Sequence, residues 1–115
     1  MTENRCSLSP EIQKKIVDGL LELFGDNIDS IILYGSVARG DDGPESDVDV
    51  AVIVKKKIGG NKYDRFAEWN GELDIEYEKR FSIIDIDKEK FDRFKNLLFF
   101  YINIQREGIV LWQAA

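Results

Sequence analysis

Asp47 and Asp49 flank a single valine at the head of an apolar stretch, residues 47–54, that reads DVDVAVIV. In a β-strand, residues two apart project from the same face, roughly 6.6 Å apart along the chain. Two carboxylates so placed can converge on a hard divalent cation such as Mg²⁺, which takes oxygen ligands and commonly shares them with substrate phosphates. Asp has little strand preference, and neighbouring like charges repel. A local cost without a folding benefit is what a working site leaves in a sequence. Upstream, a second apolar stretch, residues 30–34 (SIILY), runs into Gly35-Ser36, and ten residues separate Ser36 from Asp47. Gly35 lacks a Cβ, so its backbone can approach a ligand and take unusual φ. Ser36 offers a hydroxyl and a backbone N–H just after a strand, where phosphate oxygens can be held.

Neither feature is specific alone, because a lone Gly-Ser carries no information and a D-x-D opening a strand is often only its polar end. The combination is specific: apolar strand, Gly-Ser, a polar loop containing Ala38-Arg39-Gly40, then Ser46-Asp47-Val48-Asp49 and an apolar run. Composition narrows the chemistry further. The chain has no His, which removes Ser-His-Asp triads, Cys-His pairs and His-ligated zinc. It carries 22 acidic against 16 basic residues, a formal charge of −6, and so makes a poor default binder of nucleic acid. Its one basic cluster, Lys55-Lys56-Lys57, reads as a solvated loop. A single cysteine, Cys6, excludes an internal disulfide framework. No apolar run reaches the ~20 residues of a membrane span. The first residues, MTENRCSLSPE, lack a secretory profile. A cytoplasmic home is therefore expected.

The elements that must position these residues follow from spacing. Ser9 and Pro10 open a helix on which Ile12, Ile16, Leu20 and Leu23/Phe24 share one face, with Gly25 as its stop. Residues 30–34 form a buried strand and residues 40–46 a loop. In 47–54, Val48, Val50, Val52 and Val54 face one way and Asp47, Asp49, Ala51 and Ile53 the other. Residues 55–61 turn. From 62 to 78 the spacing of Tyr63, Phe66, Asn70, Leu73 and Tyr77 predicts a helix, although 73–77 (LDIEY) also alternates as a strand does. Residues 80–86 make a third strand. Asp87 caps one last helix with Phe91, Phe94, Leu98 and Tyr101/Ile102 as its stripe, ended by Gly108, and 109–112 add a short strand. With 115 residues, the expectation is a single α/β (α+β) domain over residues 1–115, a small mixed sheet with helices packed on it. The aromatics of the last helix read as core or interface, not as a stacking platform for bases. Residues 97–102 are apolar nearly all round, which predicts a second buried face against another chain, with Trp69 and Trp112 on the same surface.

At Gly35-Ser36-Val37-Ala38-Arg39-Gly40 and Ser46-Asp47-Val48-Asp49 the chain resembles the minimal members of the DNA polymerase beta-like nucleotidyltransferase superfamily. The tail 100–104 and 107–109 is also similar to the end of such proteins. The resemblance implies Mg²⁺-dependent transfer of a nucleoside monophosphate from an NTP, with ATP the expected donor, to a hydroxyl of a protein or small-molecule acceptor. Asp47 and Asp49 would be the catalytic metal ligands. Gly35 and Ser36 would grip the phosphates, Arg39 would neutralise their charge, and Ser46 would cap the turn into the strand or touch substrate. The family usually carries a third carboxylate on the next strand. Its place here falls near Arg80, leaving Glu78 or Asp74 as substitutes and Asp85 facing away. Without a third acid, the alternative is a weak or inactive binding module, such as an antitoxin-like partner of a small helical protein. The resemblance also implies that the acceptor is presented by a homo-oligomer partner or by a small helical protein of the HEPN type.

Overall fold

The computed structural model describes residues 6–115; the reading of the N-terminal segment falls partly on Met1–Arg5, which lie outside the described residues. Helix α1 (Pro10–Phe24) begins where the sequence places it: the Ser9 hydroxyl accepts the Ile12 N–H at 3.3 Å, and Pro10 occupies the first turn. Its apolar face, Ile12, Ile16, Leu20 and Phe24, is buried. A 3₁₀ turn (Gly25–Asn27) leads into strand β1 (Ile28–Tyr34). A five-residue helix, α2 (Gly35–Arg39), follows directly, then a loop, strand β2 (Val48–Val54) and helix α3 (Gly60–Tyr77). The chain continues through β3 (Phe81–Asp87), α4 (Lys88–Phe94), α5 (Phe99–Glu107) and β4 (Ile109–Gln113).

The four strands form one mixed sheet in the order β3-β2-β1-β4. β1 runs antiparallel to both neighbours, while β2 and β3 are parallel, joined by the α3 crossover. The two-residue alternation in β2 sorts its side chains as the sequence requires. Val48, Val50, Val52 and Val54 pack in one core with residues of α1 and α3. Ala51 and Ile53 pack in a second core with Phe91, Tyr101 and Ile104 of α4 and α5. Both faces of the sheet are thus covered, and Asp49 falls on the α4–α5 side by its place in the alternation. Lys55, Lys56 and Lys57 are exposed, as expected of a solvated turn. Among the described residues no helix is long and apolar enough to cross a membrane.

Helix α3 is the helix that the spacing of residues 62–78 predicts, and 73–77 do not form a strand. Gly35-Ser36 opens the short helix α2. Two expectations are corrected. The last helix is two: the Leu97 and Leu98 N–H groups both donate to the Phe94 carbonyl, at 2.9 and 3.0 Å, and Leu98 is extended. An unbroken helix from 88 to 107 would run about 30 Å, past the ~23 Å of a seven-residue strand. The break folds its second half back along the sheet and delivers the chain to β4 beside β1. It also leaves Leu97, Leu98, Phe99 and Phe100 exposed at the corner, Phe99 by 83%. Trp69 and Trp112 do not join them. Both pack with the α1–α3 core, across the sheet from that corner.

Candidate active site

The sheet register builds the site. Tyr34, the last residue of β1, stands directly opposite Asp49 of β2. The next residue, Gly35, has φ 80°, a conformation that disfavours any side chain. A Cβ at Gly35 would collide with Oδ2 of Asp49 and lie 3.3 Å from its Cγ. The absence of a side chain at Gly35 is therefore what admits the Asp49 carboxylate against the start of α2. Val37 and Ala38 are buried, so α2 and the Gly-Ser pair it carries are anchored.

Asp49 is half-buried, and its carboxyl is held above the ordinary carboxylate range, first by burial and then by the charge of Asp47; Arg39 opposes the shift. The two acids thus feel each other across the strand end. Tyr34 is pushed up to about 12, by burial and then by Asp49. Asp47 lies just before β2 and lines an open groove of ≈ 840 Å³ with Ser46, Asp74, Glu78 and Arg80. Arg80 reaches Asp47 at 3.8 Å from a largely exposed position, so the acid is only weakly compensated.

The remaining predicted residues divide. Ser46 accepts the Gly43 N–H at 2.9 Å on its hydroxyl and donates its own N–H to the Gly43 carbonyl at 3.1 Å, closing the turn into β2. Arg39 is engaged by Asp41 at 3.2 Å and by Glu107 of α5 at 2.9 Å. Asp74 sits on α3 and accepts the Phe81 N–H at 2.8 Å, capping β3. Glu78 lies on no strand: it is the residue with φ 51° that ends α3. Asp85 pairs with Val52, on the face away from Asp49. Among the described residues no three of Asp, Glu and Cys stand close enough to hold a metal ion between them. The parallel register instead puts Ser82 beside Asp49.

Two residues near the acids were not singled out by sequence reasoning. Tyr34 read only as the last residue of an apolar run, and Ser82 only as a strand residue. Their position depends on which strands pair and in what register, and no spacing within one strand encodes that. The signal for Tyr34 was its place immediately before Gly35.

A strand–glycine–helix connection that seats one acid of a D-x-D pair under the glycine, on a mixed sheet, defines a nucleotidyltransferase fold. The family description "Polymerase beta, Nucleotidyltransferase" matches residues 14–114, and the chain belongs to that family. A Methanocaldococcus jannaschii protein named as a candidate protein adenylyltransferase is 31% identical over 99 residues, 86% of this chain and 93% of that protein. Another from the same organism, with the same kind of name, is 46% identical over 46 residues, 40% of this chain and 46% of its own length. The match therefore spans about half of one relative and nearly all of the other. Among solved structures, a toxin–antitoxin complex with AMP-PNP superposes with a TM-score of 0.59 at 19% identity, covering 89% of this chain and 73% of the other. A complex of a tri-AMPylated Shewanella oneidensis HEPN toxin with its MNT antitoxin gives 0.58 at 16% identity, covering 90% and 71%. At those identities the likeness is one of fold.

Proposed function

We propose that the protein transfers a nucleoside monophosphate, with ATP as donor, to a hydroxyl of another molecule, and that Asp47 and Asp49 hold Mg²⁺ against the triphosphate. The observation that supports the reading is the seating of the Asp49 carboxylate against Gly35, at the start of α2, where the backbone and the Ser36 hydroxyl would meet the phosphates. Two carboxylates, weakly compensated and coupled by charge, suit a cation that completes its shell with substrate phosphates and water. When bound, Mg²⁺ would neutralise phosphate charge and polarise the reacting phosphoryl group. The chain's own part is placement. Gly35 lets the backbone approach the phosphates, Ser36 offers them donors, and the buried β2 valines fix the acids. Arg39 would serve the phosphates only by exchanging its present carboxylate partners. The acceptor oxygen bonds to the α-phosphorus, its proton is released, and the bond to the departing pyrophosphate breaks.

The adenylyltransferase names of the relatives favour a protein acceptor, and the HEPN complex favours a small helical partner. Such a partner would meet the exposed Leu97, Leu98 and Phe99 corner. The reaction as proposed draws on the cytoplasmic ATP pool. A second reading, a weak or inactive binding module, is favoured by one observation: Ser82, not an acid, stands beside Asp49. Incubation with Mg²⁺, α-labelled ATP and candidate acceptors separates the two. Label transfer lost in both Asp47→Asn and Asp49→Asn supports the enzyme. Nucleotide binding without transfer supports the module.

A further inference from the structure

The exposed corner between α4 and α5 is not uniform. Phe100 is 44% exposed, and its ring meets Tyr34 edge-on, with centroids 5.6 Å apart and planes at 80°. Tyr34 is the residue directly across from Asp49. Cross-strand neighbours carry their Cβ atoms about 5 Å apart, so Phe100 lies on the order of 10 Å from the acid through Tyr34. A ribose with one or two phosphates bridges a span of that size. Phe100 is also held firmly. Its ring packs on Tyr101, which is buried, with centroids 5.8 Å apart. The Arg39–Glu107 ion pair ties α5 to α2, the helix that carries Gly35 and Ser36.

We propose that Phe100, braced by Tyr34, is the platform on which the base of the bound nucleotide stacks. This reverses the sequence-based expectation that the aromatics of this segment serve only core or interface. Phe91 and Tyr101 do serve the core. Phe100 does not, because the helix break at 95–98 turns it out of the second core toward the site. Its occupant follows from continuity with that site: a nucleotide anchored through its phosphates at Gly35 and Asp49 has a flat base to place, and the aromatic surface reached through Tyr34 is the one beside it. Stacking on an aromatic side chain suits any base, since every base presents a π-face. The proposal rests on the nucleotide reading given above and names the base subsite of the same site.

The test compares Mg²⁺-dependent binding of a non-hydrolysable ATP analogue with that of inorganic tripolyphosphate, by calorimetry, on the full chain. Phe100→Ala and Phe100→Leu are expected to weaken the ATP analogue about 5- to 100-fold, the range of base–aromatic stacking, while tripolyphosphate affinity stays at the wild-type level. Phe100→Trp restores the ATP analogue. Phe100→Leu keeps the apolar contact to Tyr34 and Tyr101, so a selective loss in that variant is not a folding defect. Unchanged affinity for the ATP analogue in both Phe100→Ala and Phe100→Leu overturns the proposal, and fits a corner that docks a protein instead. Equal loss of both ligands overturns it too. Wild-type binding of tripolyphosphate alone, with no gain from the nucleoside, removes the base subsite and leaves the phosphate site standing. Binding of neither ligand removes both.

Discussion

Gly35→Ala tests the geometry on which the site depends. At φ 80° an L-residue is held in the left-handed region, which costs about 1–2 kcal/mol. The new Cβ would also overlap Asp49 Oδ2 and crowd its Cγ, and relief of such overpacking costs a further ~1–3 kcal/mol. The sum, about 2–5 kcal/mol, corresponds to a fall in melting temperature of roughly 8–20 °C at this chain length. The two contributions separate in a double-mutant cycle. Asp49→Ala removes the carboxylate and leaves only its Cβ, 3.4 Å away in ordinary contact. In that background Gly35→Ala should cost only the backbone part. Urea denaturation of the four proteins, followed by tryptophan fluorescence, then gives a coupling of about 1–3 kcal/mol. Coupling below ~0.5 kcal/mol, the level at which distant sites simply add, would refute the contact. Gly25→Ala is the control: Gly25 has φ 53° with nothing within 4 Å of the added Cβ, so its cost should not change when Asp49 is removed.

The other expectations concern charge and capping. Asp49 has its pKa raised from 3.8 in the folded chain. A raised carboxyl contributes stability below the unfolded value, and that contribution is lost as pH rises through the folded one. Asp49→Asn should therefore melt higher than wild type at pH 7–8, with the gap closing toward pH 3; thermal scans across that range check it, and a gap that widens on acidification contradicts it. Asp74→Ala leaves the Phe81 N–H without its acceptor, which should cost about 1–3 kcal/mol in urea titration while Mg²⁺–nucleotide affinity holds. A loss of nucleotide binding at unchanged stability would instead make Asp74 part of the metal site. Ser82→Asp adds a third acid beside Asp49, and should lower the melting temperature without Mg²⁺ and tighten Mg²⁺ binding. A variant indifferent to the ion argues that β3 does not reach the site.

How much of this was legible in the sequence depends on the range of the interaction. The start of α1, the strict alternation of β2 and the end of β1 at Gly35 are local patterns, and each appears where spacing put it. The D-x-D and Gly-Ser pairs were found because an acid on a strand and a glycine after one conflict with local propensity. The break at residues 95–98 was not legible, because Phe91, Phe94, Leu98 and Tyr101 keep perfect helical spacing across it. Only the length of the sheet and the need to return β4 to β1 impose it. The places of the third-acid candidates were hidden for a similar reason. Glu78 and Asp74 are close to the expected place in sequence, but one ends a helix and the other caps a strand. Tyr34 and Ser82 gained their places from strand pairing alone.

Calorimetric titration of a non-hydrolysable ATP analogue, with and without Mg²⁺, on wild type, Asp47→Asn and Asp49→Asn addresses the central claim most directly. Binding should require Mg²⁺ and fall at least about tenfold, about 1.4 kcal/mol, in either variant whose fold is intact. Binding of equal strength in the presence of a chelator, or unchanged in both variants, would contradict it.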